Sequence, residues 1–139
     1  MIPAGIEVGF QLPPITIPIT RTTVVRYAGA STDFNPIHYS DHAARELGFE
    51  QVVAHGMLTM AAALRVVTDW VGDPDEVSEY FVRFINPVLV PDDAMGARLE
   101  VSGTVTAVDD KRVTISIEAT CAGQKILGAA KAVVRRSNG

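Results

Sequence analysis

The segment Gly56–Val71, with the sequence GMLTMAAALRVVTDWV, decides the fold. Its apolar side chains cover almost the whole circumference of a helix, and a helix that is apolar nearly all round is normally buried. Gly72 and Pro74 follow the segment and mark its end. Because it is short and contains Arg65 and Asp69, it is not suited to crossing a membrane. The sequence therefore predicts a central buried helix over about residues 56–71.

After this helix the apolar pattern changes to a period of two, which is typical of strands with one buried face. Apolar side chains fall on the odd positions of residues 97–107 and 113–119, and on the even positions of residues 126–134. Residues 78–85 indicate a further strand upstream. Strands of this kind form an antiparallel sheet with one face on the core. We predict an α+β fold in which the curved antiparallel sheet wraps around the central helix.

Two short helices are predicted before the central one. Thr20 is a good N-cap for a helix that runs towards Ala30. Ser40 caps a second helix over Asp41–Leu47, and Gly48 follows its end. Residues 31–36 between the two helices are rich in turn-forming side chains.

The length and composition of the chain bound its class. A chain of 139 residues corresponds to one domain, so we predict a single domain over residues 1–139. The net charge of −4 argues against a nucleic-acid partner, which usually requires a basic face. The single cysteine, Cys121, excludes an intramolecular disulfide and fits a reducing compartment. With no signal-peptide pattern at the N-terminus, we predict a cytoplasmic protein without membrane insertion.

The run Asp33-Phe34-Asn35-Pro36-Ile37-His38 brings a carboxylate, an amide and an imidazole close together in sequence. Pro36 stiffens the connection, and a carboxylate beside an imidazole can share proton transfer near neutral pH. The spacing alone leaves a second interpretation equally open. In that interpretation Asp33 and Asn35 only form turns, and His38 is a buried structural residue.

Gly56 stands at the start of the predicted central helix, directly after His55. A helix N-terminus presents unpaired N–H groups and a partial positive charge, and glycine allows a substrate oxygen to approach closely. Gly56 is therefore a candidate oxyanion site. It is equally open that Gly56 only eases a tight turn into the helix. We expect His55 to be a structural residue rather than a catalyst.

His38 and His42 are four residues apart and Asp33 is near, a spacing that can indicate a metal site. His38 precedes the Ser40 cap, so the two imidazoles need not share a helix face. No third strong ligand is evident, and closed zinc sites generally need three or four. We predict no metal and expect His42 at the surface.

Two motifs, YAGASTDFNPIH over residues 27–38 and AHGMLT over residues 54–59, resemble the MaoC-like hydratase/dehydratase family. These are the (R)-specific enoyl-CoA hydratases and their relatives. The segments DWVGDP over residues 69–74 and VRF over residues 82–84 are similar to the catalytic B subunits of mycobacterial-type (3R)-hydroxyacyl-carrier-protein dehydratases. One departure is visible at Thr32, where the family often has glycine.

The resemblance implies a hot-dog fold and the reversible hydration of trans-2-enoyl thioesters to (3R)-hydroxyacyl thioesters of CoA or acyl carrier protein. Asp33 and His38 would form the acid/base pair, and Asn35 would orient them by hydrogen bonding. The N–H of Gly56 would bind the thioester carbonyl. No cofactor is implied, because CoA or the phosphopantetheine arm belongs to the substrate. The fold also implies a homodimer, or a heterodimer with a related hot-dog subunit, that can build a higher oligomer.

Two other functions remain open at this point. A hot-dog acyl thioesterase usually carries its acid on the central helix or a neighbouring strand. Here the only acid of the helix is Asp69, near its far end, which disfavours that function. An acyl-binding partner subunit of a heteromeric dehydratase should lack the Asp33/His38 pair, which this chain retains.

Overall fold

The computed structural model describes residues 2–136 as one antiparallel sheet packed against helices. Two 3₁₀-helices, Pro36–His38 and Pro74–Glu76, lie between the main elements. In chain order the main elements are β1 (Ile15–Ile19), α1 (Arg21–Ser31), α2 (Asp41–Glu46), α3 (Gly56–Val71), β2 (Val77–Phe84), β3 (Ala97–Val108), β4 (Arg112–Cys121), β5 (Gln124–Lys125) and β6 (Leu127–Arg135). The strands are ordered β1-β3-β4-β6-β2, and β5 pairs with β4.

The two short helices begin at the predicted caps. The Thr20 hydroxyl accepts the N–H of Thr23, and the Thr23 hydroxyl accepts the N–H of Thr20, which makes a capping box at the start of α1. The Ser40 hydroxyl accepts the N–H of Ala43 at the start of α2. Both helices are confirmed, with α1 ending at Ser31 and α2 at Glu46.

The central helix α3 has the predicted bounds and packs one face on the sheet. Its core face consists of small and β-branched side chains, namely Thr59, Ala62, Ala63, Val66, Val67 and Val71. A stripe spaced by four residues stays exposed on the other side, from Met57 through Ala61 and Arg65 to Asp69. Burial is therefore one-sided in the single chain rather than all round, because the sheet curves about only part of the helix.

The alternation that predicted the strands is visible in β3, where the odd positions from Ala97 to Val105 are buried. The pattern ends at a register shift between Val105 and Ala107, which leaves Ala107 exposed instead of buried. The predicted third strand is also confirmed, but it is interrupted at Ile126, between β5 and β6.

Extended segments before α3 and after β2 hold the start of α3 in place. Val90 N–H donates to the carbonyl of Val52 at 2.8 Å, and Ala54 N–H donates to that of Val88 at 2.9 Å. Val53 N–H donates to the carbonyl of Ile37 at 3.0 Å, which ties the same segment to the 3₁₀-helix that carries His38. Within residues 2–136, no helix has the length and apolarity needed to cross a membrane.

Candidate active site

The loop that carries Asp33 begins with an unusual backbone conformation. Thr32, directly after α1, has φ 61° and ψ 16°, in the left-handed region. A β-branched residue rarely adopts this conformation, whereas glycine does so without steric cost. The departure noted at Thr32 therefore falls at a position whose backbone favours glycine, and the loop tolerates the strain. Beyond Thr32, the N–H of Asp33 donates to the Ser31 hydroxyl at 3.2 Å.

The turn-forming roles of Asp33 and Asn35 are real, but they use only part of the Asp33 carboxylate. Oδ1 of Asp33 accepts the N–H of Asn35 at 3.2 Å, and Oδ1 of Asn35 accepts the N–H of Ile37 at 3.2 Å. Asn35 thereby caps the 3₁₀-helix that carries His38. Its side chain holds this turn by bonding to the backbone. Asn35 bonds to the pair through its backbone, since its N–H donates to Oδ1 of Asp33 and its carbonyl accepts the N–H of His38 at 3.0 Å.

His38 is buried, with one nitrogen fixed and the other directed at Asp33. Nδ1 lies 2.6 Å from the carbonyl oxygen of Val53, which can only accept, so Nδ1 carries the hydrogen. In the neutral ring Nε2 is then an acceptor. Nε2 lies 3.7 Å from Oδ2 of Asp33, whose side chain is 52% exposed. The structure thus brings the predicted acid/base pair together, with its two reactive atoms facing each other.

His55, which the sequence suggested to be a structural residue, lies against Asp33 and His38. It is 2% exposed, and its ring stacks on that of His38 with centroids 3.7 Å apart and planes 20° apart. Nε2 of His55 donates to the backbone carbonyl of Asp33 at 3.1 Å, and Tyr27 contacts the ring edge-on. The only sequence signal for this role was its position directly before Gly56.

Gly56 begins α3 with free backbone donors. Within the described chain, the N–H groups of Gly56, Met57 and Leu58 have no acceptor, and the His55 side chain provides no cap. A Cβ atom added to Gly56 would lie 3.2 Å from the Phe84 ring, so the absence of a side chain keeps this helix tip accessible. Such a tip can bind an oxygen that carries partial negative charge.

A cleft of about 370 Å³ connects the helix tip with His38. Its polar lining comes from His38, Gly56, Thr59 and Asn86. The rest of the lining is largely apolar and consists of Ile37, Val53, Ala54, Phe84, Ile85, Pro87 and Val88. Asp33 is not among the lining residues, and its carboxylate adjoins the cleft through its approach to His38. The cleft offers an apolar slot with an imidazole and helix N–H groups at one place.

His55 is a third candidate metal ligand beside Asp33 and His38, and the sequence did not indicate it. Ligand atoms of Asp33, His38 and His55 lie within 4.8 Å of one another. However, an imidazole binds a metal in its own plane, and two rings stacked 20° apart do not direct their lone pairs at one ion. One nitrogen of each ring is also bonded to a backbone carbonyl. The arrangement of Asp33, His38 and His55 therefore suits proton transfer better than metal binding. His42 lies at the surface as predicted, with Nε2 3.3 Å from Oε1 of Glu46.

Comparisons with known proteins show what the chain is similar to. The family model described as MaoC like domain matches residues 8–122. The 3-hydroxyacyl-thioester dehydratase X of Mycobacterium tuberculosis is 45% identical over 83 residues, which are 58% of this chain and 29% of that protein. A solved structure described as a MaoC-like dehydratase superimposes with a TM-score of 0.91 at 36% identity, and covers 96% of this chain and 41% of its own.

A second solved structure, the (R)-hydratase from A. caviae, has a TM-score of 0.82 at 23% identity. The match covers 97% of this chain and 100% of that one. It shows that the two chains share the hot-dog fold, as the sequence motifs predicted. The chain spans less than a third of dehydratase X and less than half of the MaoC-like dehydratase.

Proposed function

The chain belongs to the MaoC-like domain family, and from this premise we propose that it is a hydro-lyase acting on thioesters. In the proposed reaction, water adds reversibly to a trans-2-enoyl thioester of CoA or acyl carrier protein and gives the (3R)-hydroxyacyl thioester. The names of its relatives, a 3-hydroxyacyl-thioester dehydratase and an (R)-hydratase, support this reaction class. In the proposal, residues 1–139 act as one domain.

One observation carries the proposal, namely the orientation of His38. Because Nδ1 is bonded to the Val53 carbonyl, Nε2 is the nitrogen that can accept a proton, and it faces the Asp33 carboxylate at 3.7 Å. That distance is too long for a direct hydrogen bond, yet one water can bond to both atoms. Since His38 also lines the cleft, such a water would lie beside a bound thioester.

In hydration, Asp33 and His38 hold the water, and one of them takes its proton as the oxygen bonds to C3 of the substrate. The pair then returns a proton to C2, so that water is added across the double bond without a change in oxidation state. In dehydration the steps reverse: one residue takes the C2 proton, and the pair returns a proton to the departing 3-hydroxyl. Asn35 supports the pair by holding the turn that carries His38.

The tip of α3 would bind the thioester carbonyl. Negative charge grows on this oxygen as C2 becomes enolate-like, so a hydrogen bond from the N–H of Gly56 strengthens in the transition state. The N–H groups of the first helix turn are available for this bond. The step needs no metal and no redox cofactor, since every proton is moved by Asp33 and His38. A cytoplasmic location fits an unpaired Cys121.

We further propose that the chain pairs edge to edge with a second hot-dog subunit, identical or related. Strand β2 is hydrogen-bonded only to β6 among the described strands, and an unpaired edge is a template for another chain. Exposed apolar side chains lie on or just after this edge, namely Phe81, Phe84 and Ile85. Because Phe84 and Ile85 also line the cleft, a partner at this edge would complete the slot.

Hydration of crotonyl-CoA by the purified protein tests the proposed function, with its mass in solution measured alongside. We expect loss of absorbance of the conjugated double bond and formation of the (3R)-hydroxy product. His38→Ala should lower kcat/KM by about 10²–10⁴-fold, as expected for a general acid/base. A protein of dimer mass that does not hydrate enoyl-CoA or enoyl carrier protein of any chain length would contradict the proposal.

The same samples separate the two alternative functions. A thioesterase would release free CoA from saturated acyl-CoA. We expect no such release, because Asp69 is exposed and ion-paired with Arg65 at 3.0 Å, away from the cleft. A non-catalytic acyl-binding subunit would bind acyl-CoA and show no turnover alone, and the turnover of a complex with a co-expressed hot-dog partner would not change on His38→Ala in this chain.

A further inference from the structure

His55 contacts each part of the proposed catalytic machinery, although the proposed reaction gives it no proton to move. Its Nε2–H bonds to the backbone of Asp33, and its ring stacks on that of His38. Its own carbonyl belongs to the peptide group that supplies the Gly56 N–H, and that carbonyl accepts the N–H of Thr59 at 3.1 Å. One buried residue therefore links the acid and the imidazole through its side chain, and the helix tip through its backbone.

The hydrogen-bond pattern fixes the state of the His55 ring. The Asp33 carbonyl can only accept, so Nε2 carries the hydrogen and Nδ1 of the neutral ring is an acceptor. Nδ1 is buried and has no hydrogen-bond partner in the described part of the chain. An unpaired buried nitrogen is unfavourable, and an apolar ring of the same size would avoid it. The Nε2–H bond to Asp33 is thus the feature of His55 that a purely packing role does not explain.

The stack also constrains how charge can be carried. When His38 takes a proton on Nε2, the neutral face of His55 lies against the resulting cation, which an aromatic face stabilises. The stack therefore places an aromatic face where positive charge develops in the proposed reaction.

We propose that His55 is a positioning residue, which fixes the backbone of Asp33 through Nε2 and the ring plane of His38 through the stack. This inference rests on the proposed function. It assigns His55 no contact with the reacting atoms. Its effect is to keep Oδ2 of Asp33 and Nε2 of His38 at a separation that one water can bridge.

Two substitutions separate the two contacts. His55→Phe keeps a ring to stack on His38 but has no donor for Asp33, and His55→Gln keeps a donor but has no ring. Each variant should lower kcat by about 10²-fold, the scale expected when a reacting group is displaced by about 1 Å. KM should change by less than about threefold, because the apolar cleft is retained. His42→Gln, at an exposed histidine of α2, is the matched control and should have no effect.

A double-mutant cycle distinguishes positioning from a general structural role. In a His38→Ala background, either substitution at His55 should change the residual hydration rate by less than about threefold, because one of the groups it positions is gone. An equal loss in both backgrounds, or unchanged kcat in both single variants, would overturn the inference. If His55→Phe does not fold, as judged by circular dichroism, His55→Gln alone decides.

The failure of this inference is distinguishable from failure of the proposed function. Wild-type hydration that is lost in His38→Ala but retained in both His55 variants would overturn only the positioning role. A wild-type protein without hydration activity would overturn both.

Discussion

The carboxylates of Asp33 and Asp41 lie eight residues apart in the chain and have different partners. Oδ1 of Asp41 accepts the Arg21 guanidinium at 2.7 Å and the N–H of Val52 at 3.0 Å. Arg21 in turn donates to the carbonyl of Val90 at 2.8 Å. We call these four residues the Asp41 anchor. On Asp33, by contrast, Oδ1 accepts only one backbone N–H, and Oδ2 faces Nε2 of His38 at 3.7 Å.

The difference separates a structural carboxylate from a reactive one. The Asp41 anchor joins α1, the start of α2 and the two extended segments that lead to and from the cleft. Oδ1 of Asp41 is committed to a guanidinium and a backbone N–H, and Asp41 does not line the cleft. Around Asp33, Oδ2 of the carboxylate, the Nε2 acceptor of His38 and the free N–H of Gly56 remain unsatisfied. Polar groups held in place yet unsatisfied are the ones available for chemistry.

The largest expected contrast comes from the same substitution at the two sites, starting with Asp33→Asn. This change removes the negative charge next to His38 and keeps the acceptor that bonds to the Asn35 N–H. We expect kcat/KM for enoyl-thioester hydration to fall by about 10²–10⁴-fold. The thermal midpoint should stay near that of the wild type, since the side chain is half exposed. A variant with full activity would remove the distinction between the two carboxylates.

Much of the fold was predictable because local rules and tertiary packing agree. Thr20, Ser40 and Gly72 act at the helix ends where their side chains or backbone freedom predict them. The strand order was not predictable, since periodicity carries no information on which strands pair. The register shift that exposes Ala107 and the open face of α3 around Arg65 also depend on how the sheet curves.

The candidate site was predictable in part. Asp33, His38 and Gly56 were identified from motif and residue type, and the structure brings them to one place. The contacts of His55 were not predictable, because the ring stack and the bond to the Asp33 backbone join segments that are distant in sequence. Asn35 was expected to orient the pair by hydrogen bonding; its backbone bonds to Asp33 and His38, while its side chain caps the turn that carries His38.

A second contrast concerns two glycines, one at the open helix tip and one in α1. Gly56→Val would place a branched side chain against the Phe84 ring and narrow the slot at the carbonyl-binding N–H. We expect kcat/KM to fall by about 10²-fold, the cost of misplacing a substrate by about 1 Å. Gly29→Ala is the control, because nothing lies within 4 Å of its added Cβ. It should leave activity unchanged and raise the free energy of unfolding by about 0.5–1 kcal/mol.

Kinetics decide whether the tip of α3 takes part in the reaction. Equal activity of the Gly56→Val and wild-type proteins would show that the thioester carbonyl binds elsewhere. A loss that is equally large in Gly29→Ala would indicate a general sensitivity of the helices rather than a site at Gly56.

The smallest contrast is Asp41→Asn, which should affect stability and leave kcat/KM little changed. The N–H of Val52 and the Arg21 guanidinium hold the pKa of Asp41 below its usual value, against the opposing effect of burial. Removing the charge weakens these bonds and should lower the free energy of unfolding by about 1 kcal/mol. Chemical denaturation of both proteins at pH 7 measures this difference.

Because the pKa of Asp41 is lowered in the folded protein, the stability difference between the wild type and Asp41→Asn should depend on pH. A carboxylate whose pKa is lower in the folded state stabilises the protein above its unfolded pKa of about 3.9, and that stability is lost as the pH falls through the folded pKa. The gap between the wild type and Asp41→Asn should thus be constant above about pH 5 and close as the pH falls below about 4. A gap that persists unchanged in acid would mean that the anchor does not depend on the charge of Asp41. The contrast with Asp33 would then rest on hydrogen-bond geometry alone.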